Sequence, residues 1–233
     1  MTTPDTVVRL EGITKVYRQD SVAVRALAGI DLQIRKGDFA VLVGPSGSGK
    51  TTLLNMIGGL DSPTSGRIWV AGTEIGGMSR TQLSRLRLRD IGFVFQEFNL
   101  IPVLSALENV EFIMLLQGVP AGERRSRSVA LLKELGLEGL EHRRPNQLSG
   151  GQQQRVAVAR AIAAEPIIVL PDEPTANLDS KAGAALMDLI RRLNGEKGVT
   201  FVFSTHDPMV VERARRVIRL RDGRIEADEL RAA

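Results

Sequence analysis

The chain has 233 residues, of which 43% are hydrophobic and 25% are charged, and this is enough for one sizeable core or for a core with a small appended subdomain. Its 31 basic residues nearly balance its 27 acidic ones and aromatic residues make up only 4%, so no nucleic-acid partner is expected. The absence of cysteine excludes disulfides, zinc ribbons and thiol catalysis.

The sequence opens with MTTPDTVVRL, which lacks the basic start and long apolar stretch of a signal peptide. No later run approaches the ~18 apolar residues that are needed to span a bilayer. We therefore expect any membrane role to come through a partner.

The first elements are predicted to be strands. VVRLEGITKVY (7–17) and AVRALAGIDLQI (23–34) have strand composition and are joined by a polar turn at RQDS (18–21), and SGRIWVAGTEI (65–75) indicates one more strand. Together they predict an antiparallel sheet beside the core.

A phosphate-binding loop follows. DFAVLV (38–43) predicts a buried strand, GPSGSGKTT (44–52) fits G-x-x-x-x-G-K-[ST] in full, and a helix should follow and stop near residues 58–59. Glycines let backbone N–H groups point inward, Lys50 offers a charge to the β- and γ-phosphates, and the Thr51 hydroxyl suits Mg²⁺. A plain glycine turn with an exposed lysine is the alternative. The candidate nucleotide-binding residues here are Gly44, Pro45, Ser46, Gly47, Ser48, Gly49, Lys50, Thr51 and Thr52.

A helical insert is predicted at about 98–148. It follows a strand at IGFVF (91–95) and contains two amphipathic helices, SALENVEFIMLLQG (105–118) and AGERRSRSVALLKELG (121–136). FNLIPVL (98–104) is either core or a partner-binding groove. Gln96, directly after the strand, has an amide oxygen suited to Mg²⁺ or water, although packing is an equal alternative.

LSGGQQQR (148–155) predicts another helix start. Ser149 is placed as an N-cap with Gln152 three residues on, and the helix should stop before Pro166. Gly150 and Gly151 leave that positive helix end bare of side chains, which suits contact with a phosphate held elsewhere. The alternative is that the glycines only shape the helix start.

Two acids follow the next buried strand, IIVL (167–170). Because ligands bind beyond the carboxyl ends of strands in open α/β sheets, Asp172 and Glu173 should face the phosphate loop. Asp172 is predicted to hold Mg²⁺ and Glu173 to orient or deprotonate the attacking water. Pro171 cannot donate a ladder hydrogen bond, which puts the direction of Asp172 in doubt.

His206 ends the last predicted strand, TFVFST (200–205), from where an imidazole could reach a terminal phosphate. A cap or surface role is the alternative. Three arginine-rich runs are interpreted as solvated helix faces rather than as a nucleic-acid surface, and these are RLRLR (85–89), ERRSR (123–127) and ERARR (212–216).

These motifs resemble one family over nearly the whole chain, the nucleotide-binding subunits of ATP-binding cassette (ABC) transporters. Tyr17 stands in the place of the adenine-stacking aromatic, although packing is an equal alternative for this residue. NLD (177–179) is one of the shared motifs, and LSGGQ is the most discriminating of them. The residues around IGFVFQEFNLIPVL and LSGGQQQRVAVARAI look like the lipoprotein-release and macrolide-export branch. Pro171, where the family usually has a small or aliphatic residue, and Ala176, where it often has glycine or serine, depart from the pattern.

The resemblance implies an α/β fold, a P-loop NTPase core with an antiparallel β subdomain and an inserted α-helical subdomain, forming one domain over 1–233. It implies a homodimer that holds two ATP and Mg²⁺ at its seam. Lys50 and Thr51 of one copy would then act with Ser149, Gly150 and Gly151 of the other.

The implied function is an ATPase subunit that drives a separate integral membrane permease from the inner face of the cell membrane, for export, lipoprotein release or mechanical work in the envelope. The implied catalytic residues are Glu173, His206 and Lys50. A cell-division-type switch that regulates a membrane partner without transport is the alternative, and a soluble cassette acting on DNA or ribosomes is a third class. These residues do not indicate the cargo or the direction in which it moves, because a subunit that only hydrolyses ATP need not touch the cargo.

Overall fold

The computed structural model describes residues 5–19 and 22–231, without the side chains of residues 19 and 22. Residues 20–21 of the predicted RQDS turn, and the first four residues of the opening segment, lie outside the described residues. Within the described part, no helix combines the length and the apolar character needed to cross a membrane.

The elements follow one another in this order along the chain. The first half contains β1 (Thr6–Gln19), β2 (Val22–Arg35), β3 (Phe39–Val43), α1 (Lys50–Ile57), β4 (Ser65–Val70), β5 (Thr73–Glu74), α2 (Arg80–Asp90), β6 (Ile91–Val94) and α3 (Ala106–Leu116). The second half contains α4 (Ala121–Glu134), a 3₁₀ helix (Pro145–Gln147), α5 (Gly150–Ala163), β7 (Ile168–Pro171), α6 (Ser180–Lys197), β8 (Thr200–Ser204), α7 (Pro208–Arg213), β9 (Arg216–Arg221) and β10 (Arg224–Leu230).

The predicted antiparallel sheet is present, with strand order β2-β1-β4-β5. The single strand expected at 65–75 is instead two strands, β4 and β5. They are separated by Ala71 and Gly72, whose φ values of 52° and 75° turn the chain. The chain reverses here because two successive residues with positive φ form a tight hairpin turn.

The larger sheet has the order β10-β9-β3-β8-β7-β6. Strands β9, β3, β8, β7 and β6 are parallel, and β10 pairs antiparallel with β9 at the edge. The carboxyl ends of β3, β8, β7 and β6 therefore lie along one edge of the sheet. This edge brings together the phosphate loop, the two acids, the histidine and Gln96.

Strand β3 lies between two hydrophobic cores, because its side chains alternate between the two faces of the sheet. Phe39, Val41 and Val43 belong to the core that packs against α3 to α6. Ala40 and Leu42 belong to the core that packs against α1 and the antiparallel sheet. The β3 backbone is thus held from both sides, and the loop that follows it starts from a rigid position.

The helical insert is present, and its helices begin where the sequence indicates. Ser105 caps α3, accepting a hydrogen bond from the Glu108 N–H at 3.2 Å, while the Glu108 carboxylate accepts one from the Ser105 N–H at 2.7 Å. Pro120 precedes the first residue of α4. Helix α5 packs against both α3 and α4, so it completes the helical layer although it follows the predicted insert in sequence.

One of the three arginine-rich runs was interpreted wrongly. Runs 85–89 and 123–127 lie on α2 and α4, as expected, but run 212–216 leaves α7 and enters β9. The Arg216 guanidinium donates to Asp38 at 2.8 Å and to Asp228 at 2.6 Å, and its side chain is only 13% exposed. This arginine therefore links β9 to β10 and to the residue before β3 through ion pairs, and it is not a solvated helix residue.

Candidate functional site

The phosphate loop joins β3 to α1 and has room only for glycine at two positions. A Cβ on Gly44 would lie 2.1 Å from the Leu220 carbonyl oxygen, and one on Gly49 would lie 2.6 Å from the Ala26 carbonyl oxygen. Gly49 also has a φ of 102° and forms the N-terminus of α1 without a side-chain cap. The first N–H groups of α1 are therefore left for an anion, and the helix dipole favours one there.

Lys50 is the first residue of α1, and its side chain turns back over the loop. Its ammonium donates to the carbonyl oxygens of Gly44 at 2.8 Å and Pro45 at 3.0 Å, and the residue is only 9% exposed. An ammonium has three N–H donors, so one remains for a phosphate oxygen. The loop carbonyls hold the positive charge at the mouth of the loop.

Asp172 faces the phosphate loop. Its carboxylate accepts a hydrogen bond from the Thr51 hydroxyl at 3.4 Å. Burial raises the pKa of the Asp172 carboxyl and the charge of Glu173 adds to this, while the Ser204 side chain, the Thr51 hydroxyl and the Lys50 charge act in the opposite direction. A half-buried carboxylate beside a hydroxyl is an oxygen donor set of the kind that Mg²⁺ prefers.

Pro171 is accommodated by a gap in the sheet ladder. Strand β7 pairs with β8 as far as Val169 and Phe201, and pairing resumes as an isolated bridge between Asp172 and Ser204. The Asp172 N–H donates to the Val94 carbonyl at 2.8 Å. Because both flanking strands hold the next residue, the missing proline donor does not turn Asp172 away from the loop.

Glu173 is held by backbone and side-chain hydrogen bonds. Its φ is 47°, and its N–H donates to the Ser204 carbonyl at 2.8 Å. One carboxylate oxygen accepts from the Thr205 hydroxyl at 2.9 Å, and the other lies 2.7 Å from His206 Nδ1. The carboxylate is 17% exposed and the imidazole is 74% exposed, so the glutamate is fixed and the histidine extends into solvent.

A cleft of about 620 Å³ lies between the phosphate loop and Glu173, and Asp172 does not line it. It is lined by most of the phosphate loop together with Gln96, Glu173 and His206, and by Ala26 and Ala176, which the sequence did not indicate. The phosphate-loop residues that line it are Gly44, Pro45, Ser46, Gly47, Gly49, Lys50, Thr51 and Thr52. Ser48 is buried below the loop instead, with its backbone carbonyl accepting from the Gly223 N–H at 3.1 Å.

Ser149, Gly150, Gly151 and Gln152 do not line this cleft. They form the start of α5, where the Gln152 N–H donates to the Ser149 hydroxyl at 3.3 Å and the Ser149 N–H to the Gln152 side chain at 2.8 Å. The predicted N-cap is therefore correct. Ser149 is exposed, so the N-terminus of α5 opens on the surface outside the cleft.

Tyr17 lies near the phosphate loop but does not line the cleft. It is 41% exposed, and its hydroxyl donates to Asp61 at 2.7 Å. Partial burial, together with the hydrogen bond to Asp61, raises the pKa of Tyr17, and the Thr52 side chain lies beside its hydroxyl. The Lys15 ammonium lies 4.8 Å from the ring centroid. Adenine stacking by Tyr17 remains a prediction.

Sequence reasoning missed three residues that organise the site. Thr205 contacts Glu173, as described above. Arg160 on α5 donates to the carbonyls of Phe98 at 3.0 Å and Asn99 at 2.6 Å, just after Gln96. The Asn177 amide donates to the Gln96 carbonyl at 2.9 Å. No local pattern marks such tertiary contacts, although NLD (177–179) belongs to the resemblance.

Comparison with known proteins agrees with this geometry. The family described as ABC transporter matches residues 27–176. The lipoprotein-releasing system ATP-binding protein LolD of Anaeromyxobacter dehalogenans is 48% identical over 95% of this chain and 93% of its own. The macrolide export ATP-binding/permease protein MacB of Azoarcus sp. is 48% identical over 95% of this chain, which spans 34% of that protein.

A third relative is known in three dimensions. The uncharacterized ABC transporter ATP-binding protein MJ0796 of Methanocaldococcus jannaschii is 46% identical over 96% of this chain and 97% of its own. Its dimeric post-hydrolysis structure bound to ADP and Pi matches with a TM-score of 0.88 and 45% identity, over 97% of this chain and 100% of that one.

The fold and the cleft are those of a nucleotide-binding ATPase with a phosphate loop. The chain belongs to the ABC transporter family, as an ATP-binding, ATP-hydrolysing cassette. The predicted fold class and the predicted ATPase activity are confirmed, and the relatives named for lipoprotein release and macrolide export confirm the predicted branch.

Proposed function

We propose that two copies of this chain close head to tail around two ATP molecules and drive a separate membrane permease, for export, lipoprotein release or mechanical work in the envelope. The cassette would then lie in the cytoplasm, on the inner face of the cell membrane. The names of the LolD and MacB relatives support a release or export system, and the dimeric state of the MJ0796 structure supports the dimer.

The dimer is proposed mainly because one chain has two separate helix N-termini that are candidates to bind phosphate. The start of α1 lies at the cleft, whereas the exposed start of α5 at Ser149 does not line it. Helix N-termini of this kind favour phosphate, and the α5 start has no basic side chain of its own at residues 149–154. A second copy that presents Ser149, Gly150 and Gly151 to the first would complete an occupied site.

In the proposed reaction, the loop N–H groups and Lys50 hold the β- and γ-phosphates of ATP. Glu173 orients a water and accepts its proton as the water attacks the terminal phosphorus and the bond to ADP breaks. His206, which lies beside Glu173 and reaches into solvent, would donate to the terminal phosphate.

Mg²⁺ is the proposed metal, with Thr51, Asp172 and Gln96 as the protein oxygens that would hold it. The 3.4 Å contact between Thr51 and Asp172 supports the first two, because Mg²⁺ is typically bound by one or two carboxylates together with substrate phosphates. When bound, the ion supplies charge neutralisation at the phosphate oxygens.

We also propose that residues 1–233 form one cassette domain with the helical subdomain at about 98–148. The parallel pairing of β6 with β7 across this segment supports an insertion between neighbouring strands. Because α5 packs on α3, the start of α5 belongs to the same helical layer as the insert.

The test of the dimer uses Glu173→Gln to block hydrolysis, together with two further variants at Ser149. Asn and Asp cap helices as well as Ser does, so Ser149→Asn and Ser149→Asp differ mainly in charge. With Mg-ATP, Glu173→Gln should keep ATP bound with turnover reduced by about 100-fold or more, and should form a long-lived dimer in light scattering.

Adding Ser149→Asp should abolish that dimer by repulsion from the partner's phosphates, while Ser149→Asn should retain it. ATP affinity of the monomer should be equal in both variants, because Ser149 lies outside the cleft. Equal dimerisation of the Asp and Asn variants would refute the shared site. Unchanged turnover in Glu173→Gln would remove Glu173 from its assigned role.

A further inference from the structure

The Glu173 carboxylate has two side-chain partners that differ in rigidity. His206 is 74% exposed, so solvent competes for its contact with Glu173. Thr205 is completely buried, and its backbone N–H donates to the Leu42 carbonyl of β3 at 3.2 Å. The hydroxyl at 2.9 Å from the glutamate therefore comes from a fixed point at the end of β8.

The direction of the Thr205 hydroxyl hydrogen is determined by its neighbours. The Asp207 N–H donates to the Thr205 oxygen at 3.0 Å, so this oxygen acts as an acceptor on that side. A hydroxyl has one hydrogen to donate, and Glu173 is the acceptor within reach. The hydroxyl is therefore oriented as a donor to the carboxylate.

Asp207 is itself fixed, which makes the arrangement more rigid. One carboxylate oxygen accepts from the Thr175 hydroxyl at 2.8 Å, and the other accepts from the Met209 N–H at 2.9 Å as the N-cap of α7. A continuous hydrogen-bonded series thus runs from Thr175 through Asp207 and Thr205 to Glu173. Its members lie at the ends of β7 and β8 and the start of α7.

Glu173 needs such support because its backbone is in an unfavourable conformation. Its φ of 47° lies in the left-handed region, which a residue with a side chain occupies only when its surroundings hold it there. A glutamate side chain on this backbone can adopt several rotamers. Only a rotamer that places a carboxylate oxygen beside the attacking water can activate that water. A displacement of about 1 Å is enough to cost on the order of 100-fold in rate.

We propose that Thr205 is a positioning residue for ATP hydrolysis, whose buried hydroxyl holds one Glu173 oxygen so that the other faces the cleft. This inference rests on the proposed role of Glu173 in activating water. Thr205 does not line the cleft, so its loss should affect the chemical step and leave nucleotide capture intact.

The test compares Thr205→Val, Thr205→Ser and a matched control, Thr200→Val, in the full-length chain. Thr200 is equally buried, lies at the opposite end of β8, and accepts from the Gly37 N–H at 3.0 Å. Both valine variants therefore remove a buried hydroxyl and leave one backbone N–H without its acceptor. Only Thr205→Val touches Glu173.

We expect Thr205→Val to lower kcat by about 10-fold to 100-fold, which is the usual value of a hydrogen bond to a charged group, with KM for Mg-ATP changed by less than about threefold. Thr205→Ser, which keeps the hydroxyl, should recover kcat to within about threefold of the parent. Thr200→Val should lower the urea midpoint as Thr205→Val does and leave kcat near the parent value. Should Thr205→Val fail to fold, Thr205→Ala serves as the hydroxyl-free variant, with the same expectation for kcat.

The inference is overturned if the hydroxyl-free variant and Thr200→Val have the same kcat, or if Thr205→Ser is as slow as that variant. A double variant separates this inference from the role of Glu173. In a Glu173→Gln background, single-turnover hydrolysis should fall less than about twofold further on Thr205→Val, because the carboxylate is already gone. Full turnover in Glu173→Gln alone would overturn the proposed role of Glu173, whereas a slow Glu173→Gln with a fast Thr205→Val would overturn only the positioning role of Thr205.

Discussion

The phosphate loop allows two kinds of glycine constraint to be separated experimentally. Gly47 and Gly49 both have positive φ, 78° and 102°. A Cβ on Gly47 would meet nothing within 4 Å, whereas one on Gly49 would lie 2.6 Å from the Ala26 carbonyl oxygen and 2.9 Å from the Leu27 side chain. Gly47→Ala therefore introduces backbone strain alone, and Gly49→Ala introduces strain together with a steric clash against β2.

The two costs follow from these contacts. An alanine at positive φ strains the folded backbone by about 2 kcal/mol. Alanine also restricts the unfolded chain more than glycine does, and this offsets about 0.7 kcal/mol of that loss in stability. Gly47→Ala should therefore lower the free energy of unfolding by about 1 kcal/mol. The clash at Gly49 involves backbone, which cannot rotate away, so overpacking adds about 2 kcal/mol. Gly49→Ala should lose about 3 kcal/mol.

The assay is urea unfolding of both variants and the parent chain without nucleotide, followed by ATP titration of the folded proteins. Gly49→Ala should also bind ATP more weakly, because β2 or the start of α1 must move to make room. Equal free energies of unfolding for the two variants would contradict this prediction, because they would show that the contact with Ala26 does not constrain the loop.

Two further predictions concern stability. Partial burial raises the pKa of Asp61, but hydrogen bonds from Lys15, Tyr17 and the Ser62 backbone together lower it below its usual value. A lowered folded-state pKa contributes stability at pH values above the unfolded pKa, and this stability is lost as the pH falls through the folded-state pKa. Asp61→Asn should thus cost about 1 kcal/mol at pH 7, with the difference shrinking below about pH 4 in urea unfolding; a pH-independent difference would contradict this. Asn109 is fully buried and bonds both backbone groups of Ile101, so Asn109→Ala should lower the free energy of unfolding by about 3 kcal/mol, and a loss below about 1 kcal/mol would show that the loop adjusts.

The features that the sequence predicted well are local. Ser149 and Ser105 cap α5 and α3 at the predicted residues, because a capping box is formed within four consecutive residues. The helix after the phosphate loop ends at Ile57 with Gly58 as its C-cap, close to the predicted stop. The order of strands and motifs likewise sufficed to predict that the phosphate loop and the two acids would lie at the same edge of the sheet.

The features that the sequence missed depend on distant partners. β9 and β10 were not predicted, and Arg216 was taken for a helix residue. Its partners Asp38 and Asp228 lie 178 and 12 residues away along the chain, so the local pattern around Arg216 does not show its ion pairs. From the sequence, Thr205 could be recognised only as the last residue of a buried strand. Its contact with Glu173 exists because β7 and β8 are neighbours in the sheet.

The amino-acid sequence by itself determined the phosphate loop, the helix caps and the family, since each of these is encoded in a few consecutive residues whose backbone and side chains act on one another directly. Only the tertiary structure decided that the start of α5 opens on the surface away from the cleft, that Pro171 leaves Asp172 facing Thr51, and that a buried hydroxyl holds Glu173. These depend on strand pairing and helix packing between segments far apart in the chain, and the burial that gives such contacts their strength is a property of the whole fold.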